Sequence, residues 1–320
     1  MSRGETPAPD LELRSRVPKQ AHGLPLLDYL LQRFRYQDRT AWLREFAAGR
    51  LLLDGRPAEP MQRLRTGAEL LYRKQHQEPE VSRDVRVLHR ARTYAIVEKP
   101  AHLPMHSDGP FVRNTLVHIL RTGEFPQAEL VHRLDRETSG LLVIAHDKVS
   151  RSHFERQFAQ GLVAKEYLAV VRGVVPEDFT VDAPIGHSCT SSISLRRSAA
   201  PDALQTQPAR TDFAIEQRLA DRTLLRCKPH TGRTHQIRVH LEHRGFPLLG
   251  DKLYGRPDAD YLAFVARVKA GGDARTVASG EPDRQLLHAA ALTLEDPETG
   301  QRVRFTSPLP PDVLRWLPGA

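Results

Sequence analysis

Nine residues, HRLDRETSG (132–140), bring Arg133 and Arg136, Asp135 and Glu137, and the small turn-formers Thr138, Ser139 and Gly140 together immediately before an apolar run, LLVIAH. A carboxylate held among cations at the entrance to a strand can attack an electrophilic carbon or stabilise a developing positive charge. The same Asp can simply close a turn, one of the commonest uses of that residue. Asp135 and Glu137 are two apart, on one side of an extended chain. Carboxylates that cooperate across a glycosidic bond face each other about 5 Å or more apart, and neighbours in one turn are poorly placed for that. If Asp135 does chemistry, it does so alone.

A second group of chemistry-bearing residues lies in KPHTGRTHQIRVHLEHRG (228–245), with His230, His235, His240 and His243. A helical zinc pair wants histidines four apart. His235 and His240 are five apart, and no third ligand accompanies His240 and His243, so no metal site is expected. Charge is more telling. Between Arg222 and Arg256 eight Lys and Arg stand against Glu242 and Asp251, a net +6 over 35 residues, with the bases interleaved among Gly and His rather than paired with acids. Phosphate contact is the use such a stretch suits. The whole chain of 320 residues carries a net +8, and its pI near 9.7 attracts polyanions at neutral pH. Cys189 and Cys227 are the only cysteines, which leaves neither a disulfide framework nor a zinc knuckle and fits a reducing compartment. Residues 1–22 hold no apolar run that could serve as a signal-peptide core, and nowhere do 18 apolar residues come together. A cytoplasmic location with no membrane attachment is therefore expected.

The elements that must position these residues are set by periodicity. Residues 1–22 are polar and read as a disordered tail. LPLLDYLLQRF sets Leu26, Leu27, Leu30 and Leu31 at helical spacing, RTAWLREFAAGR predicts a second helix stopped at Gly49, and short strands about the Asp54-Gly55 turn complete a small α/β unit over 23–76. A polar linker is expected at 77–84, before a larger domain over 85–320. There VRVLHRARTYAIVEKP predicts a strand pair, LLVIAH a strand, and KVSRSHFERQFAQG a helix ended by Gly161. KEYLAVVRG alternates, with Tyr167, Ala169 and Val171 on one face and Leu168 and Val170 on the other. A hairpin turns at Ala220-Asp221, a short helix ends at Gly245, and LLHAAALTLE and QRVRFTSP supply the last strands. GGDARTVASGEPD (271–283) reads as a flexible insertion. Hairpin-joined strands with few helices between them argue an α+β domain, a mainly antiparallel mixed sheet flanked by helices and loops.

HRLDRETSGLLVIAHD resembles the signature motif of the RluA-type pseudouridine synthases, HRLDxxTSGLLLxAK. EKPAHLPMH resembles that family's KPAGxPVH segment, and KEYLAVVRG its KxYxAxVxG strand. TGRTHQIRVHLEHRGFPLLGDKLYG resembles its GRTHQIRVHL block with the GD and YG pairs that close it, and RQLLHAAALTL its RxxLHAxxL segment. The motifs keep the family order from residue 98 to residue 294. Three departures stand out. His102 occupies the usual Gly of KPAG, and His146-Asp147 replaces the usual Lys of the first motif. The front unit resembles the alpha-L RNA-binding domain of the ribosomal-protein S-four type, but lacks its Ser-Arg and basic helix-end pattern.

The resemblance implies a pseudouridine synthase fold and a cofactor-free isomerase that acts on ribosomal or transfer RNA as a monomer. It puts Asp135 at the nucleophile and Arg238 at its charge partner. It puts Tyr167 at the tyrosine that lies against the uracil, and Arg133 at the residue that enters the space left by a flipped base. An Asp of ordinary pKa, about 3.9, is already ionised at pH 7. The Arg is needed to keep it charged and aimed once RNA excludes water. Further RNA contacts are expected from Arg233, His235, Lys252 and Arg256. Two rival readings remain: a non-catalytic RNA-binding or assembly factor on the same fold, against which the intact Asp135, Tyr167 and Arg238 argue, and a histidine-based metallohydrolase.

Overall fold

The computed structural model describes residues 11–34, 36–74, 78–269, 277 and 280–317. The chain forms two compact units, the first ending at Glu78 and the second beginning at Pro79. In the first, β1 (Leu11–Arg16), α1 (Leu26–Arg33), α2 (Arg39–Ala47), β2 (Leu51–Leu53), β3 (Arg56–Pro57) and β4 (Glu69–Lys74) build an antiparallel sheet ordered β1-β4-β2-β3 with two helices. Leu26, Leu27 and Leu30 of α1 are buried with Trp42 of α2 and Leu51, Leu53 and Leu70 of the sheet, the use that helical spacing of leucines predicts. Asp38 starts α2 by accepting the Ala41 N–H at 2.8 Å.

Two boundaries differ from the sequence reading. The tail does not reach residue 22: residues 11–16 pair with β4 along their whole length, and Val17 and Ala21 are buried. An edge strand with four of its six residues exposed carries little apolar signal. Residues 1–10 lie outside the described residues. Nor is 77–84 a free linker, although residue 77 is not described. Pro79 and its successors belong with the second unit, where the Pro79 carbonyl accepts the Asn114 amide and Val81 packs on the core.

The second unit comprises β5 (Arg86–Arg90), β6 (Tyr94–Lys99), α3 (Leu116–Thr122), β7 (Glu129–Leu130), β8 (Ser139–Ala145), α4 (Lys148–Ala159), β9 (Ala164–Arg172), β10 (Phe179–Asp182), β11 (Ile185–His187), β12 (Arg197–Ser198), β13 (Leu204–Gln207), β14 (Arg210–Arg218), β15 (Arg222–Pro229), α5 (Gln236–His243), α6 (Asp258–Lys269), β16 (Leu287–Glu295), β17 (Arg302–Thr306) and α7 (Pro311–Leu314). Ten strands form one sheet along the path β10-β14-β15-β9-β16-β8-β6-β5, with β17 beside β16 and β7 beside β8. β11, β12 and β13 make a small separate sheet. Among the described residues only the β16–β8 pairing in the large sheet is parallel, so the architecture is the mainly antiparallel α+β one expected.

Both faces of the large sheet are covered. Ala169 and Val171 of β9 pack with Ile237 and Leu241 of α5, while Val170 packs on the opposite side with Leu224, Leu286 and Val313. Helix α5 is thus seated by residues four apart on one face. The α6 helix has no counterpart in the sequence reading. Most of the 271–283 insertion lies outside the described residues, but Glu281 is tied to Arg172 and Arg256.

The parallel joint sits at the end of the HRLDRETSG stretch. Gly140 pairs with Ala289 there at φ +116, and a Cβ on it would lie 2.3 Å from the Ala289 carbonyl oxygen. No side chain fits without moving backbone. Gly140→Ala is therefore expected to destabilise the second unit by at least about 2 kcal/mol, seen calorimetrically as a Tm lowered by roughly 5 °C or more. An unchanged Tm would show that this approach is not tight.

Candidate active site

Asp135 lies in the loop that enters β8, and its Oδ2 accepts from Arg238 Nη1 at 2.8 Å and from Gln285 Nε2 at 3.3 Å. The rest of the guanidinium is fixed by a second carboxylate. Arg238 Nε and Nη2 donate to Asp251 Oδ2 and Oδ1 at 2.7 and 2.9 Å, a two-pronged pairing. Asp251 Oδ1 also accepts the Leu253 and Tyr254 N–H groups, and the Arg238 guanidinium lies 4.8 Å over the Tyr254 ring. These contacts leave the guanidinium one orientation.

Burial pushes the Asp135 carboxyl up, but His235, Arg238 and the hydrogen bonds of Arg238 and Gln285 outweigh it and hold the group down at about 2. His235 is itself driven by burial down to about 4. It is neutral at pH 7, so at that pH Arg238 is the cation that keeps Asp135 ionised. His235 caps α5 in a left-handed conformation, φ +59, with Nδ1 2.8 Å from the Tyr254 hydroxyl and Nε2 3.9 Å from Asp135.

Asp135, Tyr167 and Arg238 line one cleft of about 330 Å³, together with Arg133, Arg233 and His235. Val131, Leu134, Phe158, Val163, Ile237 and Leu287 give it an apolar wall. Burial, and then the charge of Asp135, push the Tyr167 phenol up, so its hydroxyl keeps its proton at neutral pH. Arg133 is exposed, and Arg233 donates through Nε to the Pro208 carbonyl.

Lys252 and Arg256 are not where RNA contact would need them. Lys252 is 5% exposed and paired with the buried Glu137, and Arg256 is paired with Glu281 and with the Asp251 carbonyl. The +6 stretch is largely neutralised by acids that the sequence places elsewhere. Arg222 meets Asp221, Arg226 meets Glu166 and Glu216, and Arg238 meets Asp135 as well as Asp251. The interleaving with Gly and His was therefore misleading: of the eight cations only Lys228, Arg233 and Arg244 lack a carboxylate partner among the described residues.

The histidines serve separate purposes. His230 bonds Asp212, and His240 bonds Thr211 and the Ala183 carbonyl. Among the described residues no three His, Cys, Asp or Glu side chains converge as metal ligands would. Of the departures, His102 adopts φ +61, a conformation glycine reaches without strain. Asp147 caps α4 by accepting the Ser150 N–H at 2.8 Å. Asp251 and Gln285, which fix Arg238 and Asp135, were not singled out by the sequence. Both lie in segments that resemble the family's motifs, Asp251 in the GD pair and Gln285 in RQLLHAAALTL, but the sequence reading gave neither a role.

Residues 93–243 match the family model for RNA pseudouridylate synthase, a span that includes Asp135, Tyr167 and Arg238. Ribosomal large subunit pseudouridine synthase D of Pseudomonas aeruginosa is 32% identical over 323 residues, covering 96% of this chain and 95% of that one. An uncharacterised RNA pseudouridine synthase of Synechocystis is 32% identical, over 90% of this chain and 95% of its own. The solved structure of human RNA pseudouridylate synthase domain containing 1 superposes with a TM-score of 0.58 at 26% identity, covering 74% of this chain and 89% of that one. Identity of that degree along nearly the full length of both chains places this protein in the RluA-type RNA pseudouridine synthases, isomerases that turn uridine in RNA into pseudouridine.

Proposed function

We propose that the protein isomerises a uridine of large-subunit ribosomal RNA, with Asp135 as the nucleophile and no cofactor. One observation carries this reading: an ionised carboxylate, fixed by an arginine that is itself fixed, lines a cleft with a protonated tyrosine and an apolar wall. The relatives named for the large ribosomal subunit support the substrate class.

The reaction breaks the N1–C1′ bond and forms a C5–C1′ bond; C5 loses a proton, N1 gains one, and nothing is oxidised or reduced. A carboxylate serves whether it captures C1′ or adds to the uracil ring, since it is a competent leaving group afterwards. The target base must leave the stack to reach it. In this reading Arg133, exposed at the cleft, occupies the space the base vacates. Tyr167 lies against the uracil, and the front unit orients the RNA. The enzyme works in the cytoplasm as a monomer; no helix among the described residues is long and apolar enough to cross a membrane.

Asp135→Asn keeps the shape and removes the nucleophile. Its single-turnover rate should fall at least about a thousandfold, with RNA affinity within about threefold because phosphate contacts dominate binding. Turnover within tenfold of wild type would rule Asp135 out. Arg238 supplies a pH signature. With the carboxyl held near 2, its ionised form persists as pH falls from about 8 to 5, since a depressed pKa keeps the charged state. In Arg238→Gln burial goes unopposed by the guanidinium, the carboxyl pKa rises, and an acid limb should enter that window. A variant profile parallel to that of wild type would contradict this role.

A further inference from the structure

Lys165 lies on β9 two residues before Tyr167, hence on the same face of the strand, and lines the same cleft. Its Nζ donates to the Thr231 carbonyl at 2.9 Å, which leaves two N–H donors of the ammonium unused. Other cations withdrawn from water in this unit have compensation. Lys252 has Glu137, Arg238 has two carboxylates, and Lys99 donates to three carbonyls. Among the described residues Lys165 has no ion-pair partner. Burial alone pushes its ammonium down to about 8, with no acid opposing it.

Its surroundings suit an anion. His132 accepts the Val143 N–H through Nε2 at 3.1 Å and lies tilted against Phe158, with ring centroids 4.7 Å apart. That ring is driven down to about 3 by burial and then by Lys165, so it is neutral and carries its proton on Nδ1. Gly232 passes close by: a Cβ on it would lie 3.7 Å from the lysine nitrogen. Arg233, next in that loop, lines the cleft as well.

We propose that Lys165 binds a backbone phosphate flanking the flipped uridine and so seats the nucleotide with its sugar toward Asp135. The assignment rests on the reading of this cleft as the uridine site. A phosphate suits better than a uracil oxygen because it is already a full anion in the ground state, as an uncompensated ammonium requires.

The test uses the full-length protein and a ribosomal RNA fragment that it modifies, made with a single uncharged methylphosphonate on the 5′ or the 3′ side of the modified uridine. Affinities are measured in the Asp135→Asn background, with Lys165 intact or changed to Met or Arg. One of the two methylphosphonates should weaken binding about tenfold when Lys165 is present and less than about twofold in Lys165→Met. Lys165→Met should also lower the slope of log affinity against log salt by about 0.7, one phosphate contact in single-stranded RNA. Lys165→Arg, which keeps the charge, should bind within about threefold of the parent and shows that the fold tolerates change there. Equal methylphosphonate costs with and without Lys165 at both positions would overturn the proposal. So would a Lys165→Met variant, with Asp135 restored, that loses only single-turnover rate at saturating RNA. Failure of the nucleophile reading is separate, because it shows as turnover by Asp135→Asn and leaves these affinities untouched.

Discussion

A carboxylate that must stay charged in a cleft closed off from water needs a cation that cannot move away. The Asp251–Arg238–Asp135 chain meets that need. Asp251 is 1% exposed and takes two of the guanidinium's five N–H groups, so the Nη1–H that reaches Asp135 points in a set direction. A lone arginine would satisfy charge but not aim, and its long side chain would lose rotamer freedom only when substrate arrived. Fixing it beforehand places that cost in folding rather than in catalysis.

The loop that carries Asp135 is held from several sides at once. Lys99 donates to the Arg136 carbonyl and Arg284 to the Glu137 carbonyl. Glu137 meets Lys252, and Gln285 joins the Thr138 hydroxyl to Asp135. Arg284, 1% exposed, also bonds Ser139 and Asp312, which links the loop to the start of α7. The parallel joint at Gly140 brings β16, and with it Gln285, against this loop. Burying so many charges is tolerable because each meets opposite charges or carbonyls, and a buried charge stripped of its partners would be costly.

Much of this was legible in the sequence where local pattern decides the outcome. The alternation of β9 put Tyr167 on one face with Ala169 and Val171, and the resemblance to the family's motifs assigned Tyr167 and Arg238 to one site with Asp135, three residues that line a single cleft. What escaped depends on contacts between distant segments. Lys252 and Glu137 are 115 residues apart, and their pairing turns an expected RNA contact into a structural one. Arg226 is neutralised by Glu166 from a neighbouring strand. β1 escaped for the opposite reason, since an edge strand facing water needs almost no apolar signal.

In the proposed mechanism Arg238 works because Asp251 holds it, and Asp251→Asn tests that dependence most directly. The amide keeps the shape and can still accept the Leu253 and Tyr254 N–H groups, but it no longer anchors the guanidinium by charge. With the variant's folding verified by its thermal melt, its single-turnover rate on saturating RNA should fall about ten- to a hundredfold, while RNA affinity stays within about threefold. A wild-type rate would show that Asp135 is aimed without this anchor.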